Sequence, residues 1–386
     1  MNRKGFFIKE NAIFGILLIS IFVCYSIFSL TSNAMFYIFQ KNIVKVLVGL
    51  SIILFVYKKA YFREIKLEQI IFGGCILFLL IFLLSKYYEY QSGIINTKII
   101  DGIFTMAFPL IIVLGVLNVL DNNEIYYCMV AILLVTFVAY LLEIYYAGNI
   151  NISAIKSISI KDSYSPFESN YFSGLSVGLA AYFSYFNKDK KWTILSFLFS
   201  IFTFKRIIII FAVILLFLPI FKNDLRVKSG NVIAFIMTAI FSLLGIVYSY
   251  VLMPQNIIVL DSFALKYFGL SITKLVMARD LLLRNLMYSG FVRSGIDSTF
   301  LFSKDIEMDL VRIFLELGAF GVIAIVFYFW MLAKDNIYSF IFMLSIMINL
   351  LLSHSIHSPY GWILKYIVIL SILLDNNSGK TNTKKE

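Results

Sequence analysis

Apolar runs long enough to cross a membrane recur along this chain, and they constrain its fold more than any other feature. A helix needs roughly 20 mostly apolar residues to cross the hydrocarbon core of a bilayer. The chain is 61% hydrophobic and 14% charged, which is far from the balance of a soluble domain. The sequence therefore predicts an all-α polytopic membrane protein with about 12 transmembrane helices, at 11–30, 36–57, 67–85, 99–120, 125–147, 169–186, 192–204, 207–221, 231–253, 309–333, 337–353 and 359–374.

Lysine and arginine are distributed unevenly over the connections between these segments. Most of them fall in connections that lie on the same side as the N-terminus. Because positive residues favour the cytoplasmic side of a membrane, both termini are predicted to be cytoplasmic. The same bias accounts for the net charge of +11, so no nucleic-acid partner is expected. Cys24, Cys75 and Cys128 lie within apolar runs without a paired spacing, so neither a disulfide nor a metal site is expected.

Two connections, 148–168 and 254–308, are much longer than the others, and both are predicted to lie outside. The second contains FALKYFGLSITKLVMARDLLLRNLM, in which apolar and basic positions alternate at helical spacing. This pattern predicts amphipathic helices on the outer membrane surface. The chain then divides into helices 1–9 (1–253), the large outer loop (254–308), helices 10–12 (309–374) and a cytoplasmic tail (375–386) that is predicted to be disordered.

Polar residues suited to chemistry cluster where the spans meet the predicted outer surface. Glu307 and Asp309 lie where the large loop re-enters the membrane. Arginine binds two phosphate oxygens at once through its planar fork, and a nearby carboxylate can accept the proton of an attacking hydroxyl. The cluster therefore fits a lipid-linked pyrophosphate just outside the bilayer. Its other members are Glu168, Asn170, Arg206, Arg279, Arg284, Arg293, His354 and His357.

These residues also have ordinary structural interpretations. An arginine at a span end, such as Arg206, can extend its side chain to the membrane surface, and arginines on the loop can bind lipid headgroups. Acids in the first turn of a helix stabilise its positive end, which suits Asp309 well and Glu307 in part. Arg312 and Glu316 are four residues apart, which predicts a structural ion pair on one helix face. Ionisable groups also lie within apolar runs, where they are costly: Lys45, Asp101, Glu143 and Lys365.

The end of the large loop resembles a segment of the bacterial O-antigen polymerases (Wzy) and their ligase relatives. In that family an acid or histidine, then Asp or Asn, then apolar residues with a Gly-x-x-Gly follow the large periplasmic loop. EMDLVRIFLELGAFGVIAI is similar to this segment, and Glu307, Asp309, Gly318 and Gly321 match its pattern.

Four further segments resemble the same family in the same order, so that the resemblance covers roughly residues 165–333. ESNYFSGL resembles the opening of a span. FKRIIII resembles an outer Ser-Arg turn, with Lys205 in place of the serine. MARDLLL resembles a Gly-Arg segment with Ala278 in place of the glycine, and YSGFVRSG resembles the glycine-rich stretch after it.

This resemblance implies a metal-independent glycosyltransferase of the bacterial inner membrane that needs no cofactor. Such enzymes transfer a growing glycan from undecaprenyl pyrophosphate to a sugar of an incoming lipid-linked repeat unit, on the periplasmic face. The resemblance implies catalytic roles for Glu307 and Asp309 and pyrophosphate binding for Arg206 and Arg279. A flippase and a chain-length co-polymerase are the expected protein partners. Further substrate contacts are expected from Asn170, Tyr171, Arg284, Arg293, His354 and His357.

Three other functions compete with a polymerase. An O-antigen ligase is one, although ligases usually carry histidine where this chain has Glu307. A lipid-linked oligosaccharide flippase or another transporter is the second. Transporters usually show repeated halves and polar groups near the bilayer midplane, whereas no repeat is visible here and the polar residues cluster at one face. The third is a dolichol-type transferase, which would carry acids in the first outer loop, and residues 31–42 contain none.

Overall fold

The computed structural model describes residues 4–57, 65–148, 165–221, 225–276, 279–302, 306–353 and 359–382. Every regular element in these ranges is a helix, and an isolated β-bridge joins Arg226 to Asn336. The helices are α1 (Lys4–Thr31), α2 (Ala34–Tyr57), α3 (Ile65–Ser92), α4 (Ile99–Val119), α5 (Asn122–Tyr146), α6 (Asn170–Phe186), α7 (Lys190–Phe202), α8 (Arg206–Phe221), α9 (Gly230–Leu252), α10 (Pro254–Phe268), α11 (Ile272–Leu275), α12 (Arg279–Tyr288), a 3₁₀ helix (Ser298–Phe302), α13 (Asp309–Ala333), α14 (Ile337–Leu352) and α15 (Pro359–Asn382).

Each of the twelve predicted spans coincides with one helix, in the order α1 to α9 and then α13 to α15. Seven helices in the described ranges are long and apolar enough to cross a membrane: α1 to α5, α9 and α13. The seventh and eighth predicted spans are short, and the sequence also allows one bent hairpin there. In the structure they are two helices, since α7 ends at Phe202 and α8 begins at Arg206. With 13 residues, α7 is only about 20 Å long, which is shorter than the hydrocarbon core of a bilayer.

The end of the chain differs from the prediction. Residues after 374 were expected to form a disordered tail, but α15 continues through Asn382. Continuing a formed helix fixes one residue for each hydrogen bond gained, whereas starting a helix fixes several for the first bond. A polar sequence attached to a well-packed apolar helix can therefore remain helical where the same sequence alone would not.

The connections between the long helices fall into two groups, at opposite ends of the bundle. We call the end that carries residues 254–308 the loop end and the opposite end the tail end. At the tail end, the Lys188 ammonium donates to the Asn123 side chain over 2.9 Å, and the Tyr185 hydroxyl donates to Asp375 over 3.2 Å. The connections predicted to be inner thus meet one another. These contacts place the connections at one end of the bundle; their side of the membrane stays a prediction from the charge bias.

The large loop is helical, as predicted, and it has a small core of its own. α10, α11 and α12 occupy most of it. Their apolar side chains pack against the end of α9 and the start of α13 rather than only facing outward. The cluster consists of Leu252, Ile257, Val276, Leu283, Leu286, Ile306, Met308, Val311 and Leu315. This packing fixes the loop, and with it Arg279 at the start of α12, relative to the first turn of α13.

After α12 the loop passes between α3, α4 and α13. The Asn96 side chain donates to the carbonyls of Ser294 and Ile296 over 2.9 and 2.8 Å. A Cβ atom at Gly102 would lie 2.7 Å from the Asp297 carboxylate, so only glycine allows the loop to approach α4 this closely. The buried backbone of the segment is thereby hydrogen-bonded, as irregular chain inside a membrane protein must be.

Helix α13 is broken at Gly318, where φ is 70° and ψ is −170°. This conformation is essentially restricted to glycine. The break leaves carbonyls at the end of the first half without helical partners. Arg293 supplies hydrogen-bond donors to two of these carbonyls. Its Nε donates to Leu315 O over 2.7 Å, and its Nη2 donates to Phe314 O over 3.0 Å. Its guanidinium also lies 5.0 Å from the Tyr88 ring. A cation at a helix C-terminus is electrostatically favourable.

Candidate functional site

Two cations and one helix end meet at residues 352 and 353, where α14 ends at the loop end of the bundle. Arg279 donates from Nη2 to the Leu352 carbonyl over 3.0 Å. Lys205 donates from Nζ to the Ser353 hydroxyl over 3.3 Å. The Ser353 carbonyl accepts a hydrogen bond of 3.4 Å from the backbone N–H of Asp309. Three segments that are remote in sequence are therefore held together at one point.

Two carboxylates act electrostatically on Lys205 in this arrangement. Burial lowers the pKa of the Lys205 ammonium below its ordinary value of 10.5, the negative charges of Glu168 and Glu307 oppose that shift, and the positive charge of Arg279 adds to it. The charges of Glu168, Glu307 and Arg279 thus lie within electrostatic range of Lys205. Glu168 and Glu307 are exposed, whereas Lys205 and Arg279 are half-buried. Two cations and two accessible carboxylates therefore share one surface at the loop end.

The position of Lys205 depends on a tight turn between α7 and α8. Phe204 has a φ of 51°, a left-handed conformation that is unfavourable for a bulky residue. Its ring packs on Phe167, with the ring centroids 5.4 Å apart. The Tyr140 hydroxyl donates to the carbonyls of Phe167 and Phe202. The turn and the segment that carries Glu168 are therefore fixed to α5 and to each other.

Directly behind this surface lies a buried group of three charges on the first half of α13. Arg312 Nη2 lies 3.7 Å from Asp309 Oδ1, and Arg312 Nε lies 3.9 Å from Glu316 Oε2. The exposed fractions of the three side chains are 0 to 1%. The predicted pairing of Arg312 with Glu316 is confirmed. Its complete burial was not predicted, because sequence spacing shows that two residues share a helix face but not what covers that face.

Glu316 links this group to the large loop. Its carboxylate accepts hydrogen bonds from the backbone N–H of Asp297 over 2.9 Å and of Thr299 over 3.2 Å, and from the Thr299 hydroxyl over 2.6 Å. Glu316 thus accepts the hydrogen bonds of buried donor groups on the loop. Asp309 is equally buried, while Glu307, two residues before it, is exposed. Of the three acids at the start of α13, Glu307 is the one that a substrate outside the bundle can reach.

Lys365 on α15 is a further charge in the same region. It is 4% exposed, and it interacts electrostatically with Asp309 and Lys205. Its ammonium lies 4.4 Å from the centre of the Trp362 ring, a cation–π contact. Ionisable residues buried in apolar helices are costly and are usually paired. Asp309 therefore lies between two cations, Arg312 and Lys365.

The structure separates the other residues predicted for the site. Arg206 is exposed at the start of α8. Arg284 lies 3.8 Å from Asp280, one turn earlier on α12, and Arg293 contacts the broken end of the first half of α13. Asn170 and Tyr171 form the first turn of α6, but their side chains lie outside the described part of the structure. His354 and His357 also lie outside the described residues, directly after Ser353.

Sequence analysis missed two contributors to this surface, Lys205 and Ser353. In the sequence, Lys205 counts among the positive residues of the outer connections and stands in place of the family's serine, while the resemblance assigns the neighbouring Arg206 to the substrate. The interaction of Arg279 with the Tyr248 hydroxyl on α9 was not foreseen either. The available signal was the Lys-Arg pair between two unusually short apolar runs. It indicated a turn at the surface but not which side chain points inward.

An apolar pocket lies elsewhere in the bundle, between α3, α4, α13 and α15. It is lined by Leu77, Phe78, Met106, Phe329, Trp362 and Tyr366, and it includes none of the residues of the surface around Lys205. Its apolar lining does not suit a charged group.

Comparisons of the chain with protein-family models, with curated proteins and with solved structures found no match.

Proposed function

We propose that this protein is an O-antigen, or surface polysaccharide, polymerase of the bacterial inner membrane. In this proposal all twelve long helices enter or cross the membrane, the loop end faces the periplasm, and both termini are cytoplasmic. The substrate is a glycan on undecaprenyl pyrophosphate, and the acceptor is a sugar of an incoming lipid-linked repeat unit. The observation that carries the proposal is that an accessible carboxylate, Glu307, lies within electrostatic range of Lys205, at the end of the bundle where Lys205 and Arg279 contact the adjacent residues Ser353 and Leu352.

These charges fit the requirements of glycosyl transfer from a lipid diphosphate. The hydroxyl oxygen of the acceptor sugar forms a bond to the anomeric carbon of the donor glycan, while the bond from that carbon to the diphosphate oxygen breaks. The proton of the hydroxyl passes to Glu307, and the electron pair of the broken bond leaves with undecaprenyl pyrophosphate. Arg279 stabilises the charge that develops on this leaving group. Glu307 acts as general base.

The surface around Lys205 lies where apolar helices begin, and this position also suits a lipid-linked substrate. The first turn of α13 and the turn before α8 are the points where apolar helices begin. The diphosphate of a polyprenyl lipid lies at the same level, where the hydrocarbon meets water. The exposed helix faces beside the site then contact the polyprenyl chain, and the glycan extends away from the membrane.

The direct test is polymerisation by purified protein in nanodiscs that contain undecaprenyl-pyrophosphate-linked repeat units. Wild-type protein is expected to produce a ladder of lipid-linked oligomers, resolved by gel electrophoresis or mass spectrometry. Glu307→Gln keeps the size of the side chain but cannot accept a proton at neutral pH, so its rate should fall by about 10²–10⁴-fold. Glu168→Gln is the matched control, because it removes a neighbouring exposed carboxylate. The absence of any oligomers from well-folded wild-type protein would refute the proposal.

A transporter of lipid-linked oligosaccharide is the second candidate, and the broken helix α13 is the observation that favours it. Discontinuous helices carry substrate or ion sites in many transporters. In this chain, however, Arg293 already occupies the carbonyls exposed by the break, which gives the break a structural explanation. Proteoliposomes loaded with a fluorescent lipid-linked glycan distinguish the two functions. A transporter changes the leaflet of the lipid without changing the length of its glycan, whereas a polymerase changes the length.

A further inference from the structure

The turn between α7 and α8 carries two adjacent cations in different environments. Arg206 is exposed. The Lys205 ammonium instead points toward the end of α14, where it donates to the Ser353 hydroxyl over 3.3 Å. The resemblance to the polymerase family had assigned the arginine, not the lysine, to the substrate.

We propose that Lys205, rather than Arg206, binds the diphosphate of the substrate together with Arg279. The inference rests on the proposed function, since it specifies which side chains at that site hold the lipid diphosphate. Both cations are tied to adjacent residues, Lys205 to Ser353 and Arg279 to Leu352. The positive charge of Arg279 acts on the Lys205 ammonium, and a ligand with two or more negative charges offsets the repulsion between the two cations.

The local fold is built to keep Lys205 in this orientation. The left-handed backbone at Phe204 reverses the chain direction between α7 and α8. Residues in such conformations persist only where the surroundings hold them, and they concentrate at functional sites. The surroundings here are the Phe204–Phe167 ring contact and the two hydrogen bonds of the Tyr140 hydroxyl. A lysine that only solvated the surface would not require this arrangement.

The orientation also places the diphosphate beside the general base. Glu307 lies within electrostatic range of Lys205. A diphosphate bound between Lys205 and Arg279 would therefore hold its glycosidic carbon near Glu307. Arg206 begins α8 on the exposed side of the turn and is left to interact with solvent or lipid headgroups.

The test measures binding of farnesyl diphosphate, a soluble probe with the same diphosphate, to the full chain in nanodiscs. Lys205→Gln keeps a hydrogen-bonding group toward Ser353 but removes the charge, and it should weaken binding by about tenfold or more. Arg206→Gln is the matched control, and its dissociation constant should stay within about twofold of wild type. Farnesyl monophosphate, with fewer negative charges, should bind more weakly to wild type and respond less to Lys205→Gln.

A second measurement does not depend on the folding of a variant. Wild-type protein is treated with an amine-reactive reagent, and the modification of Lys205 is measured by mass spectrometry. Saturating farnesyl diphosphate should protect Lys205. Equal modification with and without the probe, or loss of binding in Arg206→Gln but not in Lys205→Gln, would overturn this inference and leave the proposed function standing. If wild-type protein does not bind farnesyl diphosphate at all, this inference is wrong, and the polymerisation assay alone decides the proposed function.

Discussion

At the scale of the residue, the same kind of side chain has opposite roles according to its surroundings. Glu307 and Glu316 are nine positions apart on one segment. The sequence separates a catalytic from a structural role only by the family resemblance at Glu307 and by the spacing of Glu316 from Arg312. Glu307 is exposed beside Lys205, whereas Glu316 is buried and accepts hydrogen bonds from the loop. The difference arises from residues 297–299, which return to α13 from the far end of the loop. No local pattern encodes that contact.

Glu316→Gln should therefore reduce stability rather than catalysis. The substitution leaves Arg312 buried next to a neutral group, and removing one partner of a buried ion pair typically costs about 3–5 kcal/mol. We expect less folded protein and a lower thermal midpoint in detergent, with a near-normal polymerisation rate per folded molecule. Glu307→Gln should show the reverse. A normal thermal midpoint for Glu316→Gln would contradict the structural role given to its hydrogen bonds.

Arginine 279 is expected to be irreplaceable by lysine. It donates to the Leu352 carbonyl while interacting with the Tyr248 hydroxyl, and a planar fork can do this and still present a donor to phosphate. Arg279→Lys should thus lose nearly as much polymerisation as Arg279→Ala. Arg284→Lys is the control, since Arg284 makes an i,i+4 pair with Asp280 that lysine can reproduce. Full-length polymer from Arg279→Lys at normal expression would remove Arg279 from the site.

The lowered pKa of Lys205 predicts how anion binding depends on pH. The ammonium loses its proton below the ordinary lysine value of 10.5 because burial disfavours its charge. Binding of farnesyl diphosphate should then be strong at neutral pH and weaken as pH rises through the lowered pKa of Lys205. Lys205→Arg keeps its charge at all accessible pH values, so its binding should persist to higher pH. Identical alkaline profiles for the two proteins would show that Lys205 does not titrate in the binding site.

At the scale of the element, the twelve apolar helices were predictable and their irregularities were not. Apolar runs identify helices because only a closed hydrogen-bonding pattern is tolerated in lipid. Gly318 and Gly321 looked alike in the sequence, but only Gly318 has a positive φ. The break depends on Arg293 and Tyr88, which come from the large loop and from α3. It is thus a tertiary feature, and the spacing of glycines could not reveal it.

Gly318→Ala tests whether the break is required. A Cβ atom there would lie 2.7 Å from the Tyr88 hydroxyl, and the backbone conformation itself is unfavourable for alanine by about 1–3 kcal/mol. We expect a marked fall in the thermal midpoint and disturbance of the Arg293 contacts. Gly49→Ala is the control, because Gly49 has no positive φ and nothing within 4 Å of the added atom. It should be neutral or slightly stabilising. Equal midpoints for the two variants would mean that α13 can straighten without cost.

At the scale of the whole molecule, the orientation was inferred from lysine and arginine, and the fold sorts the same connections into two ends. Segments predicted to be inner, such as those carrying Lys334 and Asn231, contact each other at the tail end. Segments predicted to be outer meet at the loop end, where Lys205 contacts Ser353. A helix missed in the sequence would have moved every later connection to the other end of the bundle.

The orientation of the bundle is tested with single cysteines in a background where Cys24, Cys75 and Cys128 are replaced. Ser262 is exposed on α10 at the loop end, and Ser378 lies in the last part of α15, beyond the tail-end contact of Asp375 with Tyr185. An impermeant thiol reagent applied to intact spheroplasts should label Ser262→Cys and should label Ser378→Cys only after lysis. The proposed chemistry needs this result, because the lipid-linked glycan is polymerised where Glu307 and Lys205 are accessible. Labelling of Ser378→Cys but not Ser262→Cys in intact spheroplasts would show the opposite orientation. The surface around Lys205 would then face the cytoplasm, and the protein could not be a periplasmic polymerase.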